Sequence, residues 1–189
     1  MAATIEDYRQ KCWDGALHAY GTSTVFQARA ARLKRNNDFL TWVGLGVPVL
    51  LGALTATFGE YKLWTVVLIS AAVVIAVQLV VSLWAVIKRW NEDLAYSSSS
   101  ATANESLANR FAALAADPPT GLPALRTQFD KLAIEDAARR ERDGEKNVTE
   151  KERRRGMRAG LRKFQRSCAA CQKVPTTMEP TDCGVCGRY

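Results

Sequence analysis

The chain is 189 residues long and carries a formal net charge of +7, with 26 basic and 19 acidic side chains and five cysteines. Once its two long uncharged stretches are set aside, the remainder is large enough for one modest domain and a metal-stabilised module, but not for a multidomain assembly. No enzyme class is expected: there is no Walker loop, no Gly-x-Ser-x-Gly and no dinucleotide fingerprint, and the single histidine, His18, has no nucleophile beside it.

Residues 1–38 read as an amphipathic cytoplasmic helix leading into the first apolar stretch. Ile5, Tyr8, Cys12, Ala16 and Ala19 recur at intervals of three and four, and Phe26, Ala30 and Leu33 continue the stripe after a softer patch at Gly21-Thr22-Ser23-Thr24. The stripe must be covered, either by the rest of the chain or by another subunit. Met1 to Asp14 contains Glu6, Asp7 and Asp14 and no apolar core, so insertion into a membrane is expected to use internal segments rather than a cleaved leader. His18, lacking a partner in the pattern, reads as a surface or capping residue sooner than as a proton switch.

Residues 39–87 form the centre of the chain. Phe39 to Phe58 and Leu63 to Ile87 carry no charged side chain. A helix needs about 20 apolar residues to cross about 30 Å of hydrocarbon, so each run is long enough to span a bilayer. Only Gly59-Glu60-Tyr61-Lys62 separates them, so a helical hairpin is expected, with both termini on one side. Arg29, Arg32, Lys34 and Arg35 before it, with Lys88 and Arg89 after it, make that side cytoplasmic. The alternative is a hairpin buried inside a soluble globule. In the first run Thr41, Gly44, Pro48, Gly52 and Thr55 share one small-residue face, and Pro48 removes a backbone bond toward Gly44, which predicts a kink. In the second, Ala71, Gln78 and Ser82 form a narrow polar line. An amide in hydrocarbon needs a partner, so Gln78 either meets its neighbour in the hairpin or lines a watery lumen.

Residues 88–138 are expected to continue as cytoplasmic helix. Trp90, Leu94, Leu107, Phe111 and Leu114 keep the apolar pattern, Ser97 to Ser100 suggests a break, and Asp117-Pro118-Pro119-Thr120-Gly121 ends the segment. Leu122 to Ala138 reads as a further helix, with Leu125, Phe129, Leu132 and Ile134 available for packing. Residues 139–166 are a charged helix or linker. Arg153, Arg154, Arg155, Arg158, Arg162, Lys163 and Arg166 give it a basic excess that is either solvated or laid along anionic lipid or nucleic acid, while Met157, Leu161 and Phe164 supply a small apolar face.

Residues 167–189 hold Cys168-Ala-Ala-Cys171 and Cys183-Gly-Val-Cys186, separated by eleven residues. Two such pairs can set four thiolates on one tetrahedral ion, and Gly187 after the second pair is expected to relax the backbone so that amides point at sulfur. Too short to fold on its apolar surface alone, the segment predicts a zinc ribbon ordered by its metal. Four thiolates close the coordination shell, so the role of Zn2+ is structural. Cys12 stands apart.

The order of these parts, with the leading helix ending in FQARAARLKRNNDFL, the two-span hairpin and the terminal cysteine spacing, resembles the SMODS and SLOG-associating two-transmembrane effectors (SLATT), specifically the mobile-element-associated variant with the CxxCx(11)CxxC signature. The resemblance implies a bacterial conflict-system effector in the inner membrane, pore-forming and triggered through a separate sensor or nucleotide-signal protein. A lone hairpin cannot surround an aqueous path, so a pore requires a cyclic homo-oligomer. The expectation is an all-α membrane protein with cytoplasmic helical extensions and a zinc ribbon. A non-pore anchor that recruits a protein or nucleic acid through the basic helix and ribbon is the competing reading.

Overall fold

The computed structural model describes residues 4–58 and 64–189. Within them the regular structure is helical, with no strand: α1 (Ile5–Phe58), α2 (Trp64–Ile87), α3 (Trp90–Ala116), α4 (Leu122–Gly144) and α5 (Glu150–Lys163). The tetrapeptide expected to turn the hairpin, Gly59 to Lys62, lies outside the described residues, as does the side chain of Thr55.

The chain divides into two compact units, one comprising the chain up to Ala28 with Ser97–Tyr189, the other Arg29–Tyr96. The divisions fall within helices, not at 38/39 and 87/88 where composition changes. Residues 139–166 and 167–189, read in sequence as separate segments, belong to one compact body with the start of α1.

In the first unit the stripe of α1 is covered by the chain itself. Tyr8, Cys12, Ala16 and Ala19 pack with Leu107, Ala108, Phe111, Leu114 and Ala115 of α3 and Leu125 and Leu132 of α4. Tyr8 and Phe111 each meet the Phe129 ring, at centroid distances of 5.5 and 6.2 Å. Ile5, at the open end, is left exposed. The patch at Gly21-Thr22-Ser23-Thr24 is among the tightest parts of the core. Ser23 is fully buried and its hydroxyl donates to the Ala101 carbonyl at 2.9 Å.

Helix α5 lies on α1 at backbone distance. A methyl added at Gly156 would stand 2.6 Å from the Gly21 carbonyl oxygen, one at Gly21 would stand 2.8 Å from that of Gly156, and one at Gly160 would stand 2.6 Å from that of Leu17. Two glycines four residues apart let the helices approach until dispersion contacts run between main chains, which any side chain would block. The start of α5 is set by a capping box: the Thr149 hydroxyl accepts from the Glu152 amide, and the Glu152 carboxylate accepts from the Thr149 amide at 2.9 Å.

The serine run does not break the chain. Helix α3 continues through Ser97 to Ser100, and the interruption lies at Lys88–Arg89, where Arg89 adopts φ 53°. Ser100 is turned inward because its hydroxyl donates to the buried Asp143 carboxylate at 2.7 Å, as does the Asn104 amide, also at 2.7 Å. Arg139 closes the group with an ion pair to Asp143 at 3.0 Å. These groups are polar but partnered, which is what burial demands of them.

The second unit is built differently. Phe39, Trp42, Leu45, Val49 and Leu50 of α1 and Val73, Val77, Val80, Leu83, Val86 and Ile87 of α2 are all exposed. In water each such side chain would forgo on the order of 1.5–3 kcal/mol relative to apolar surroundings. Among the described residues one stretch, Leu68–Ile87, is long and apolar enough to cross a bilayer, with a mean hydropathy of 2.4. Pro48 sits inside α1 without ending it.

Because the contact between α1 and α5 leaves no room for a side chain, Gly156→Val and Gly21→Val are each expected to destabilise the first unit by about 1–3 kcal/mol. Gly144→Ala, at a position where an added methyl meets nothing within 4 Å, is expected to be neutral or to stabilise by up to about 1 kcal/mol. Urea titration of the purified protein followed by circular dichroism reads both, and coincident midpoints for Gly156→Val and the parent would refute the close contact.

Candidate metal centre

The four cysteines of the tail converge. The Sγ atoms of Cys168 and Cys183 are 3.9 Å apart, those of Cys171 and Cys186 are also 3.9 Å apart, and all four lie within 4.8 Å of one another. A disulfide would require about 2.05 Å. A tetrahedral ion bound at about 2.3 Å to each sulfur sets sulfur–sulfur edges of about 3.8 Å. The spacing is therefore that of a metal site.

Each pair sits on a hydrogen-bonded knuckle. In the first, Gln172 donates its amide to the Cys168 carbonyl at 2.8 Å and Cys168 donates to Lys173 at 3.0 Å. In the second, Gly187 and Arg188 both donate to the Cys183 carbonyl at 3.0 Å. The expected role of Gly187 is corrected here. It is not in the left-handed region; Gln172 is, at φ 57°. Glycine is required at 187 because an added methyl would collide with Thr181, whose amide donates to the Gly187 carbonyl at 3.1 Å. The backbone amides of Cys186 and Val185 point at the sulfur of Cys183 and lower its pKa to about 6, whereas burial pushes the Cys186 thiol up to about 12. A bound cation favours the thiolate form at all four positions.

The centre is fastened to α5 and α1. Cys168 and Cys186 are fully buried against Leu17 and Leu161, with Met157 and Phe164 alongside. Arg158 is buried as well. Its Nε donates to the Thr177 carbonyl at 2.7 Å, and its guanidinium reaches the Cys186 carbonyl at 3.4 Å and the Thr181 hydroxyl at 3.5 Å. Arg158 thus holds the loop between the knuckles and cannot serve as the lipid or nucleic-acid contact expected of it. The other basic residues are arranged unevenly. Arg153 pairs with Glu150 at 2.9 Å, Arg154 donates to the Arg188 carbonyl at 3.3 Å, Arg166 pairs with Asp14 at 3.5 Å, and Lys163 lies 5.8 Å from the Tyr20 ring centroid. Arg155 and Arg162 are exposed.

In the second unit Gln78 faces its own hairpin. Its amide donates to the Leu40 carbonyl at 3.5 Å, and a methyl on Gly44 would come within 2.5 Å of the same nitrogen. Ala71 is buried, Ser82 half-buried, and Thr41, Pro48 and Gly52 exposed; the Thr41 hydroxyl donates to the Asn37 carbonyl at 2.9 Å. The residues that sequence reasoning passed over are Gly156 and Gly160, whose four-residue spacing was the available signal, and the buried Asp136, Arg139 and Asp143, which the surrounding charges concealed.

His18 stands at the rim of a cavity of about 430 Å³ between α1, α4 and α5, beside Arg140. Desolvation lowers its pKa below 6.5, and Arg140 lowers it further.

The chain belongs to the family described as Mobilome CxxCx(11)CxxC protein, whose pattern it matches over residues 9–189. No curated protein matches the chain, and no solved structure does.

One metal ion per chain is expected by elemental analysis of the purified protein. Cys168→Ser and Cys186→Ser should lose it and Cys12→Ser should keep it. Arg158→Met, which frees the loop without touching a sulfur, should weaken retention against a chelator about tenfold; unchanged retention would remove Arg158 from the support of the site. A second expectation concerns pH. Because the folded pKa of His18 lies below its unfolded value, the unfolded chain binds more protons between the two. The stability from the neutral ring is complete above about pH 6.5 and declines as pH falls toward the folded value. His18→Gln should flatten that part of the stability curve, and an identical slope in the variant would assign it to another group.

Proposed function

We propose that the chain is a membrane effector of a bacterial mobile-element conflict system, related to the SLATT proteins, in which several copies assemble through their hairpins and permeabilise the inner membrane. The observation that carries this reading is the second unit, where, among the described residues, large apolar side chains on both α1 and α2 are exposed. Such a surface is at home in lipid. The uncharged run of α1 serves as the first span and Leu68–Ile87 as the core of the second, with both termini cytoplasmic. On α1 the exposed Gly52 has open space around it, so a neighbouring helix can come close there, as lipid-embedded helices do at small residues.

The metal is zinc in this reading. Four sulfurs in tetrahedral spacing suit Zn2+ or an iron–sulfur centre, and a closed shell on two hydrogen-bonded knuckles stabilises a fold rather than activating a water. The chain acts without enzymatic chemistry of its own, and a separate sensor or signal-producing protein supplies the trigger.

The contact of Gln78 with Leu40 and Gly44 favours a second reading. With its amide turned into the hairpin, the unit resembles an anchor, and the exposed Arg155 and Arg162 would recruit a protein or nucleic acid to the membrane. The two separate in cells. Expression at high level is expected to collapse the membrane potential reported by a voltage-sensitive dye, and Gly52→Leu with Thr41→Leu to reduce the collapse at least tenfold at equal membrane abundance. A potential that stays intact with the protein in the membrane discards the pore. Loss of partner recruitment on Arg155→Glu with Arg162→Glu would then establish the anchor.

A further inference from the structure

The second unit contains a groove of about 640 Å³ between α1 and α2. Its walls are Phe39 and Val43 on one side and Val73, Val77 and Val81 on the other, and Gln78 turns its amide to the Leu40 carbonyl. Apart from Gln78, the polar side chains sit at one end. Arg35 and Asn36 line it there with Trp90, and the Asn37 amide donates to the Asn91 side chain at 2.7 Å, tying α1 to the start of α3 at that level. Among the described residues Arg35 has no ion-pair partner.

We infer that this groove binds one anionic phospholipid, its phosphate on Arg35 and an acyl chain along the valine wall. This rests on the membrane reading above. Two observations choose the occupant. Charge is complementary at the polar end: Arg29, Arg32, Lys34, Arg35, Lys88 and Arg89 stand against Asp38, Glu92 and Asp93. The second is depth. Arg35 comes four residues before the uncharged run, where its stem can lie on apolar surface while the guanidinium reaches headgroup level and takes a phosphate through two parallel hydrogen bonds. Trp90 at the same end suits the membrane–water boundary.

The test uses the full chain, first washed in carbonate as membranes and then purified in mild detergent. Native mass spectrometry is run with phosphatidylglycerol or phosphatidylcholine added at equal concentration. The parent is expected to hold one phosphatidylglycerol per chain at least fivefold in excess of phosphatidylcholine. Arg35→Gln and Val77→Trp should each abolish that preference, and Lys34→Gln, outside the groove, should retain it. Equal retention of the two lipids, or an undiminished preference in Arg35→Gln, overturns the site while leaving the membrane reading intact. A Val77→Trp variant that keeps its lipid but changes oligomer size assigns the groove to a second copy and likewise overturns it. Recovery of the parent in the carbonate supernatant sinks the membrane reading and the lipid site together.

Discussion

A single coordination requirement organises the first unit. Four sulfurs can share one ion only if both knuckles face each other, and they can face each other only if the loop between them is held. The chain holds it from α5: Arg158 reaches Thr177, Thr181 and Cys186 from inside that helix, and Leu161 packs beneath Cys168 and Cys186. Helix α5 is in turn seated on α1 through Gly156 and Gly160, where no side chain intervenes. Cysteine cluster, arginine and glycines form one continuous support. These contacts order a tail of little apolar content, and a metal ion on the four sulfurs would add to them.

The second unit has a different burial pattern. Its apolar side chains point away from the chain, opposite to the first unit, where Phe26, Phe111 and Leu125 are fully enclosed. Under the membrane proposal the two burial patterns correspond to two surroundings, water for one and hydrocarbon for the other. Helices α1 and α3 each belong to both units. Their composition changes accordingly along their length, with the basic run from Arg29 to Arg35 on α1 followed by the uncharged stretch from Phe39.

Much of this was legible in the sequence, for reasons that can be stated residue by residue. The intervals among Tyr8, Cys12, Ala16 and Ala19 announced a buried stripe because helical periodicity is a local property. The cysteine pairs announced their site because a knuckle is also local. What escaped were contacts that depend on a partner far along the chain. Ser100 looked like a helix breaker until Asp143, 43 residues later, supplied its acceptor. Arg158 looked like one more surface cation because nothing in its neighbourhood revealed that Thr177 and Cys186 would turn carbonyls toward it. Gly156 and Gly160 were hidden by charge: a helix so basic reads as solvated, although only its outer face is.

The position of Gln78 bears on whether the hairpin is complete in a single copy. An amide offers two donors and an acceptor, and in hydrocarbon each unmet group is costly. Within one chain the amide nitrogen meets the Leu40 carbonyl at 3.5 Å, the outer limit of a hydrogen bond. Gly44 gives the side chain room to lie there, since any larger residue would expel it. The hairpin therefore accommodates the amide without satisfying it fully, and the same group gains from a neighbouring chain or from water. Leucine at this position would pack against α1 with no polar group to satisfy, so the hairpin admits the amide through Leu40 and Gly44 without needing it for packing. Under the pore proposal the remaining amide groups are where a second copy or a water would engage Gln78, and under the anchor proposal they meet nothing further, so the two proposals differ at this one side chain.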